Sequence, residues 1–474
     1  MKKILLMTIA AGLLFGNSGC EKSFDLLPST SLPAEEAIQS EADLQLALNG
    51  AYEMITVDYG GYSSDYTLYA DCTGGDVASP NDNGQITPFI KFEINETHKS
   101  TNDIYFALYE PIAFANMALA AAVNLEQTAE VVRLTGELKG LRAILHLSAA
   151  SAYAQIPTVS GANLDAADSG IVIANEVYAP NEKFARTTLN ETYTFITEEL
   201  KEAMSLLNTA EGKAKLVGGV NYWAAEAALA RAYLYWGKNS EAYAAATDVI
   251  ANGGYTLLTY DNYIASWKTE GASEVIFEVT NGDNYNVQRN SLGYYTNPDG
   301  YAEVGASPAM LAANAALSDN DIRKSAITER ATATGAYKGY YTIKYMGKNG
   351  ATNALYNNNP RVFRLAEMYL IAAEAAVKSG SATDAAKYYN DLRRSRYAAD
   401  TYTDAAGVTI DQILEDRRVE LFCEGHRMFD LKRNNKPVVT SNNTLQPNDN
   451  KLVLPIPLRE LDISAPLLVQ NPGY

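Results

Sequence analysis

Apolar residues recur at intervals of three and four along several segments of the chain, which is the spacing that places them on one face of an α-helix. The clearest segments are residues 222–237, "YWAAEAALARAYLYWG", and residues 364–380, "RLAEMYLIAAEAAVKSG". Both mix small and large side chains, and both end in a glycine that precedes a polar turn and a second helical pattern. Because small side chains let helices approach closely, the pattern predicts pairs of tightly packed helices.

The second helices of these pairs carry alanines at matching offsets. Ala242 follows Gly237 by the same interval at which Ala385 follows Gly380, and a third pair is predicted over residues 137–157 and 188–207. Helix, glycine-containing turn and helix with alanines at fixed offsets are typical of tetratricopeptide (TPR) repeats. Because the repeats are degenerate and interrupted, we predict a mostly α-helical, TPR-like scaffold. An ordinary helical bundle is the alternative.

Two long segments, about residues 58–95 and 281–361, interrupt the helical pattern. They are rich in Gly, Asn, Asp, Pro and Tyr, and a short strand-like run, "EVIFEVT" at residues 274–280, lies just before the second. Long insertions on a rigid scaffold often carry binding sites. We therefore predict a single domain over residues 34–474, in which these insertions form a large loop-rich, ligand-binding part.

The first twenty residues have the pattern of an export signal. Lys2 and Lys3 precede an apolar run over residues 4–15, which ends in "GNSGC". The segment resembles a bacterial lipoprotein signal, so we predict a signal peptide at residues 1–19, lipid attachment at Cys20 and a tether over residues 20–33. A plain secretory signal with an incidental thiol at Cys20 is the alternative. Beyond the signal, no apolar run is expected to approach the length of a membrane-spanning helix.

Composition and motifs exclude several function classes. The chain is 47% hydrophobic and carries a formal net charge of -18, and no run of Lys or Arg alternates with aromatic residues, so a nucleic-acid groove is not expected. The three histidines lie far apart without a CxxC or HExxH companion, so we predict neither a metal nor a cofactor. The run "NDNG" at residues 81–84 is predicted to be a tight turn rather than a calcium loop.

The segment "EDRRVELFCEGHRMFDLKR", residues 415–433, has the densest set of reactive side chains. On a continuous helix, Cys423 and His426 would share a face, as a thiolate–imidazole pair requires. The regularly spaced charges around them instead favour a structural helix whose carboxylates and guanidiniums pair along one face. We predict that the protein is not an enzyme. Paired carboxylates of a glycoside hydrolase meet only in the folded chain, so the spacing leaves that alternative open.

Tyrosine is the unusual residue of this chain, with 32 Tyr against 12 Phe and 3 Trp. A tyrosine ring offers an apolar face to a sugar ring or a peptide side chain, and its hydroxyl forms hydrogen bonds. We predict that the ligand binds the two loop-rich segments, with three leading contacts at Tyr294, Tyr295 and Tyr301. Packing of these rings inside the loop, or against a partner protein, is the alternative. The predicted ligand-binding residues are Tyr66, Asn81, Asp82, Tyr285, Arg289, Tyr294, Tyr295 and Tyr301.

Four stretches carry a resemblance to a known family: "ELKGLRAILHLSAASAYAQIP", "NNNPRVFRLAEMYLIAAEA", "ILEDRRVELFCEGHRMFDLKR" and "LPIPLRELDISAPLLVQNPGY". In this order they resemble the SusD/RagB family, the surface lipoproteins with which Bacteroidetes capture nutrients. The resemblance implies a TPR-like half, a loop-rich half with the ligand site, and a scaffold helix and its exit at residues 417–433. It also implies a cell-surface location on the outer membrane, as a lid over a SusC-like TonB-dependent transporter.

Family members bind starch, other glycans or peptides, so the resemblance leaves the cargo open. It carries over regions rather than single binding residues. Glycan binders of the family often display tryptophans in their loops, whereas all three tryptophans here fall in predicted helix or core positions. We expect oligosaccharide cargo, with peptides as the alternative in the same capture role and a surface glycoside hydrolase as a further alternative.

Overall fold

The computed structural model of the protein describes residues 37–179 and 182–474. The predicted signal peptide, the tether and Cys20 lie outside these described residues, so their predictions are not tested by the fold.

Helices supply most of the regular structure. The helices are α1 (Glu41–Val57), α2 (Asp65–Thr73), α3 (Thr87–Lys91), α4 (Lys99–Ala122), α5 (Ala129–Tyr153), α6 (Leu189–Leu206), α7 (Ala210–Lys213), α8 (Tyr222–Trp236), α9 (Asn239–Asn252), α10 (Tyr263–Ser266), α11 (Leu292–Tyr295), α12 (Pro308–Ala315), α13 (Leu365–Lys378), α14 (Ala382–Arg396), α15 (Ile410–Glu420), α16 (Arg427–Arg433) and α17 (Leu458–Ile463). The strands form four antiparallel pairs: β1 (Val77–Ala78) with β3 (Gly305–Ala306), β2 (Val275–Glu278) with β6 (Arg361–Arg364), β4 (Ile327–Arg330) with β5 (Gly339–Thr342), and β7 (Val438–Val439) with β8 (Thr444–Leu445).

The helix ends follow from local sequence. The Thr188 side chain accepts a hydrogen bond from the Glu191 backbone N–H, and the Glu191 carboxylate accepts one in return, which forms a capping box at the start of α6. Gly237 ends α8 with φ +79°, a left-handed conformation that glycine adopts without steric cost. Such caps satisfy backbone groups that would otherwise lack partners at the helix termini.

The predicted helix pairs are present as three hairpins, α5–α6, α8–α9 and α13–α14. They stack in sequence, because α6 packs on α8 and α9 packs on α13. The alanines that face these contacts are buried, as in α8, where small side chains allow close packing of neighbouring helices. The predicted fold class, a mostly α-helical protein with a TPR-like scaffold, is confirmed.

The expectation that no apolar run beyond the signal approaches the length of a membrane-spanning helix is wrong for helix α4. Among the described residues it is the one helix that is long and apolar enough, by length and composition alone, to cross a membrane. It packs between α1 and α5, and more than half of its most apolar stretch is buried inside the protein. These contacts are those of a core helix in a globular protein.

The first loop-rich segment is more ordered than its composition predicts. Residues 58–95 contain α2, β1 and α3, and α2 carries Tyr66. Nearly every residue of α2 is buried, polar ones such as Asp65 and Asp71 included. A helix that is enclosed on all sides shows no amphipathic period, which explains why the sequence pattern does not reveal it.

The segment at residues 415–433 is not one continuous helix. Helix α15 ends at Glu420, and α16 begins at Arg427 after a turn in which Cys423 and Gly425 have φ of +62° and +84°. Cys423 and His426 therefore do not share a helix face. Burial raises the pKa of the Cys423 thiol well above its usual value, which disfavours the thiolate that a nucleophile needs. The break between the two helices and the raised pKa of the Cys423 thiol both agree with the structural role predicted for this segment.

Ion pairs do surround this turn, but their partners come from distant parts of the chain. The Glu420 carboxylate accepts hydrogen bonds from Arg364 Nη1 at 2.6 Å and Arg396 Nη2 at 2.9 Å. The Glu424 carboxylate accepts one from Arg364 Nε at 2.6 Å and also binds the Lys344 ammonium. Burial by itself would raise the pKa of Glu420, but attraction to the surrounding guanidiniums outweighs it and holds that pKa well below its usual value. The predicted pairing along a helix face is present only in part. Arg418 pairs with Glu415 on α15 and Arg433 pairs with Asp430 on α16, whereas the carboxylates of Glu420 and Glu424 join α15 and the turn to other elements.

Candidate ligand-binding surface

Three tyrosines from two parts of the second loop-rich segment meet in the structure. Tyr294, Tyr301 and Tyr356 form what we call the tyrosine cluster. The ring centroids of Tyr294 and Tyr301 lie 4.7 Å apart with an interplanar angle of 82°, and those of Tyr294 and Tyr356 lie 5.8 Å apart. All three side chains are half-buried. The edge-to-face contact of the first pair and the tilted contact of the second stabilise the arrangement of the rings, while part of each ring stays accessible.

Backbone contacts around the short helix α11 hold the tyrosine cluster in place. The Ser291 hydroxyl caps this helix by accepting a hydrogen bond from the Tyr294 backbone N–H, and it donates one to the Leu355 carbonyl at 2.6 Å. The Tyr301 N–H donates to the Tyr294 carbonyl at 2.7 Å. One serine thus joins the two chain segments from which the three rings come.

Arg289 lies beside the tyrosine cluster and is exposed to solvent. A hydrogen bond with Tyr356 and electrostatic interaction with Tyr294 raise the pKa of the Arg289 guanidinium. The group therefore stays charged and carries several N–H donors next to the rings. Of the predicted site residues, Arg289, Tyr294 and Tyr301 are brought together directly.

Asn81 joins the first loop-rich segment to this surface. Its Nδ2 donates a hydrogen bond to the Tyr301 carbonyl at 2.8 Å, and its backbone N–H donates to the Ala302 carbonyl at 3.2 Å. Close by, the Glu303 carboxylate accepts hydrogen bonds from the backbone N–H groups of Gln85 and Ile86, at 2.9 and 2.6 Å. These contacts fix residues 81–86 against the strand that follows the cluster.

Asp82 is next to Asn81, but its carboxylate is already engaged. Asp82 Oδ2 accepts a hydrogen bond from Lys91 Nζ at 2.5 Å, and Oδ1 accepts one from the Thr87 hydroxyl at 2.7 Å. The contact with Lys91 is the main cause that lowers the pKa of Asp82. The carboxylate holds the loop to α3, and its predicted contact with a ligand stays a prediction.

The structure separates three predicted residues from the cluster surface. Tyr295 is 2% exposed and packs in the core beneath Tyr301, with ring centroids 5.7 Å apart. Tyr66 lies on α2, where its ring packs edge-on against buried Tyr62 at 5.2 Å. Tyr285 is exposed, but it lines a different concavity that includes none of the other predicted residues.

One tyrosine of this surface was not among the predicted site residues. Tyr356 belongs to the cluster and lies in the loop-rich segment at residues 281–361. Tyr356 precedes "NNN", a polar run that is typical of the Asn-rich composition of this segment. That run is the local signal that could have pointed to Tyr356. The closeness of Tyr356 to Tyr294 depends on the fold and has no local signal.

This surface combines several kinds of chemical group that can recognise a ligand. It offers half-buried aromatic rings, a charged guanidinium and amide groups, which suit ligands that have both apolar faces and hydroxyl or amide groups. Within residues 37–179 and 182–474, no group of three or more His, Cys, Asp or Glu side chains is placed to hold a metal ion.

Two family models match the sequence. Residues 24–234 match a family described as "Starch-binding associating with outer membrane", and residues 313–474 match the SusD family. Together they cover most of the chain. Tyr294 and Tyr301 lie in the stretch between the two matches, so the family models assign no role to them.

Full-length relatives and solved structures extend the similarity over nearly the whole chain. SusD-like protein P2 from Formosa agariphila is 25% identical over 99% of this chain and 98% of its own length. A SusD superfamily protein from Bacteroides vulgatus has 29% identity and a TM-score of 0.82, covering 92% of this chain and 100% of that chain. Surface glycan-binding protein A from Bacteroides thetaiotaomicron, solved in complex with laminarihexaose, has 18% identity and a TM-score of 0.71, covering 91% of this chain and 100% of that one. The last similarity shows a shared fold.

Proposed function

The chain belongs to the SusD family, and from that premise we propose that it is a non-enzymatic, lipid-anchored surface protein that captures oligosaccharides. In this proposal it passes them to a SusC-like TonB-dependent transporter in the outer membrane. The observation that carries the proposal is the tyrosine cluster with Arg289 beside it.

The geometry of the cluster suits weak capture of a sugar polymer. The C–H face of a pyranose ring can lie against the accessible part of a tyrosine ring, while guanidinium N–H groups and phenol hydroxyls bind the sugar hydroxyls. The rings are fixed by their mutual contacts and by Ser291, so little ordering is needed on binding.

The relatives support the carbohydrate class. One matched family is described as starch-binding and associated with the outer membrane, and a protein of the same fold was solved with laminarihexaose. The sequence adds the lipoprotein-type signal that ends at Cys20. Capture at a membrane surface requires such attachment, and acyl chains on a cysteine supply it.

Titration of the full chain in detergent micelles with maltohexaose and laminarihexaose tests the proposal. Tyr294→Ala and Tyr301→Ala are each expected to weaken binding by about 5- to 150-fold, which corresponds to about 1–3 kcal/mol for a central contact. Tyr59→Ala is the control, because Tyr59 is an exposed tyrosine outside the cluster.

Each contrary result identifies the part of the proposal that fails. Unchanged affinity in folded Tyr294→Ala and Tyr301→Ala proteins would exclude the tyrosine cluster as the site. Binding of peptides and of no oligosaccharide would overturn the ligand class while leaving a capture role. Shortening of the hexasaccharides during prolonged incubation would overturn the non-enzymatic assignment.

A further inference from the structure

A concavity of about 540 Å³ lies between α1, the N-terminal half of α5 and two loops at residues 216–219 and 280–285. We call it the α1/α5 cavity. Its volume falls within the range of roughly 300–1,000 Å³ that is common for small-molecule sites. Tyr285 lines it, whereas Asn81, Arg289 and the tyrosine cluster do not.

The floor of the cavity is a fixed polar network. The Tyr52 hydroxyl donates a hydrogen bond to Glu137 Oε1 at 2.6 Å and accepts one from the Val220 N–H at 2.7 Å. Arg133 Nη1 donates to Glu137 Oε2 at 2.8 Å. Because these groups hold one another, the floor presents oxygen atoms at set positions and needs no rearrangement to receive a ligand.

The rim is apolar on one side and polar on the other. Leu216, Val217 and Tyr285 are exposed on the loop side, and Tyr285 is held by a reciprocal pair of backbone hydrogen bonds with Gly282, at 2.8 and 3.2 Å. Asn49 and Glu53 are exposed on the α1 side. A sugar ring has the same division, with C–H groups on its faces and hydroxyls around its edge.

The charges of the cavity favour an uncharged ligand. Arg133 is the cation among the described lining residues, and its guanidinium is already paired with Glu137 at 2.8 Å and with Glu130 at 2.6 Å. The carboxylate of Glu53 lies on the exposed rim. A carboxylated or sulfated sugar would meet excess negative charge there without a free cation to pair with.

We propose that the α1/α5 cavity is a second carbohydrate-binding site that accepts an uncharged sugar unit. Tyr285 provides the surface for the sugar face, and Asn49 and Glu53 bind the hydroxyls. The inference rests on the proposed function for its ligand class and adds to it a separate site with its own selectivity. A second contact would also strengthen the capture of a long oligosaccharide through effective concentration.

A local readout separates this site from the tyrosine cluster. In the full chain in detergent micelles with ¹³C-labelled Leu and Val methyl groups, the Val217 methyl signals report on the cavity. The Val439 signals serve as the control, because both valines are about half exposed, at 52% and 56%, and Val439 does not line the cavity. Maltohexaose and laminarihexaose are the uncharged probes, and a galacturonic acid hexamer is the acidic probe.

We expect saturable shifts of the Val217 signals with an uncharged hexasaccharide and no shift of the Val439 signals. The Val217 shifts should persist in Tyr301→Ala and be lost or need at least a fivefold higher concentration in Tyr285→Ala. Tyr59→Ala, at a residue 54% exposed against 55% for Tyr285, should leave them unchanged.

The contrary outcomes are distinct. If the protein binds a hexasaccharide by titration calorimetry while the Val217 signals stay fixed, this inference is overturned and the proposed function stands. If Tyr285→Ala leaves the Val217 shifts intact, the assigned site is wrong. If the acidic hexamer shifts Val217 at the same concentrations, the selectivity is wrong. If no hexasaccharide binds at all, the proposed function fails and this inference fails with it.

Discussion

Neighbouring residues of the same type can have opposite roles, as Tyr294 and Tyr295 show. The two tyrosines are adjacent in a polar segment, and the sequence pattern predicts the same role for both. In the structure they lie on one short helix, where successive side chains point about 100° apart. Tyr294 therefore reaches the cluster while Tyr295 packs into the core at 2% exposure. The direction of each ring follows from the helix, which no local pattern had predicted.

Glu424 shows the same limit for charged residues. The sequence places it among regularly spaced charges, but its carboxylate is buried and binds Arg364 and Lys344, which lie 60 and 80 residues earlier. Lys344 also donates hydrogen bonds to the carbonyls of Glu420 and Phe422, at 2.8 and 3.0 Å. The turn between α15 and α16 is therefore held by cations from other elements.

Glu424→Ala is expected to lower the free energy of unfolding by about 3–5 kcal/mol, because it removes the carboxylate that pairs with the buried Lys344 ammonium and one of the three carboxylates that pair with the buried Arg364 guanidinium. Cys423→Ser is the matched control in the same turn, since Cys423 is buried without an ionic partner, and we expect it to cost about 1–2 kcal/mol. Urea denaturation followed by circular dichroism measures both. Equal losses for the two variants would show that the carboxylate contributes no more than ordinary packing.

Among the elements, those with helical periodicity were predictable and the interruptions were not. Helices α8, α9, α13 and α14 lie where the apolar spacing predicts them, because each buries one face against a neighbour. The break between α15 and α16 lies in a segment whose charges are also spaced like a helix. At this break the chain packs against α2: the backbone at Gly425 passes so close to Thr67 that a Cβ there would be 2.9 Å from the Thr67 carbonyl oxygen.

Gly425→Ala should therefore destabilise the protein for two reasons, the φ of +84° and the contact with Thr67. Gly380→Ala separates them, because Gly380 follows α13 with a φ of +83° and would meet nothing within 4 Å. We expect a cost of about 1–2 kcal/mol for Gly380→Ala from backbone strain alone. Gly425→Ala should cost at least about 1 kcal/mol more in the same urea titrations, since a close contact with backbone adds steric strain. If the two costs are the same, the approach of α2 does not determine this turn.

At the scale of the whole molecule, the scaffold could be predicted from sequence and the candidate binding surfaces only as regions. The TPR-like hairpins are built from contacts between neighbouring segments, and their periodicity is visible locally. The tyrosine cluster joins residues 294, 301 and 356, and the α1/α5 cavity joins four segments between residues 45 and 285. Composition indicated the aromatic and polar character of the second loop-rich segment, in which the tyrosine cluster lies. Which rings meet depends on how distant segments pack.

The charge of the whole protein bears on how it stays at a membrane. The chain has a formal net charge of -18, and the signal region contains Lys2 and Lys3, which cleavage before Cys20 would remove. A strongly acidic protein is repelled by anionic membrane surfaces, so electrostatic attraction cannot hold it there. In the proposed function, acyl chains on Cys20 would supply the attachment instead.

Cys20→Ser should release the protein from the membrane fraction into the soluble fraction, because serine lacks the sulfur atom to which the lipid is predicted to attach. Cell fractionation with detection of the protein measures the distribution. The wild type and the Cys423→Ser control should stay with the membranes at both low and high salt, since acyl chains bind through apolar area that salt does not screen. Cys20→Ser should be absent from the membranes even at low salt. If Cys20→Ser still sediments with the outer membrane, the lipoprotein prediction is wrong. If high salt then releases the sedimented Cys20→Ser protein, contact with a protein partner rather than a lipid holds it at the membrane.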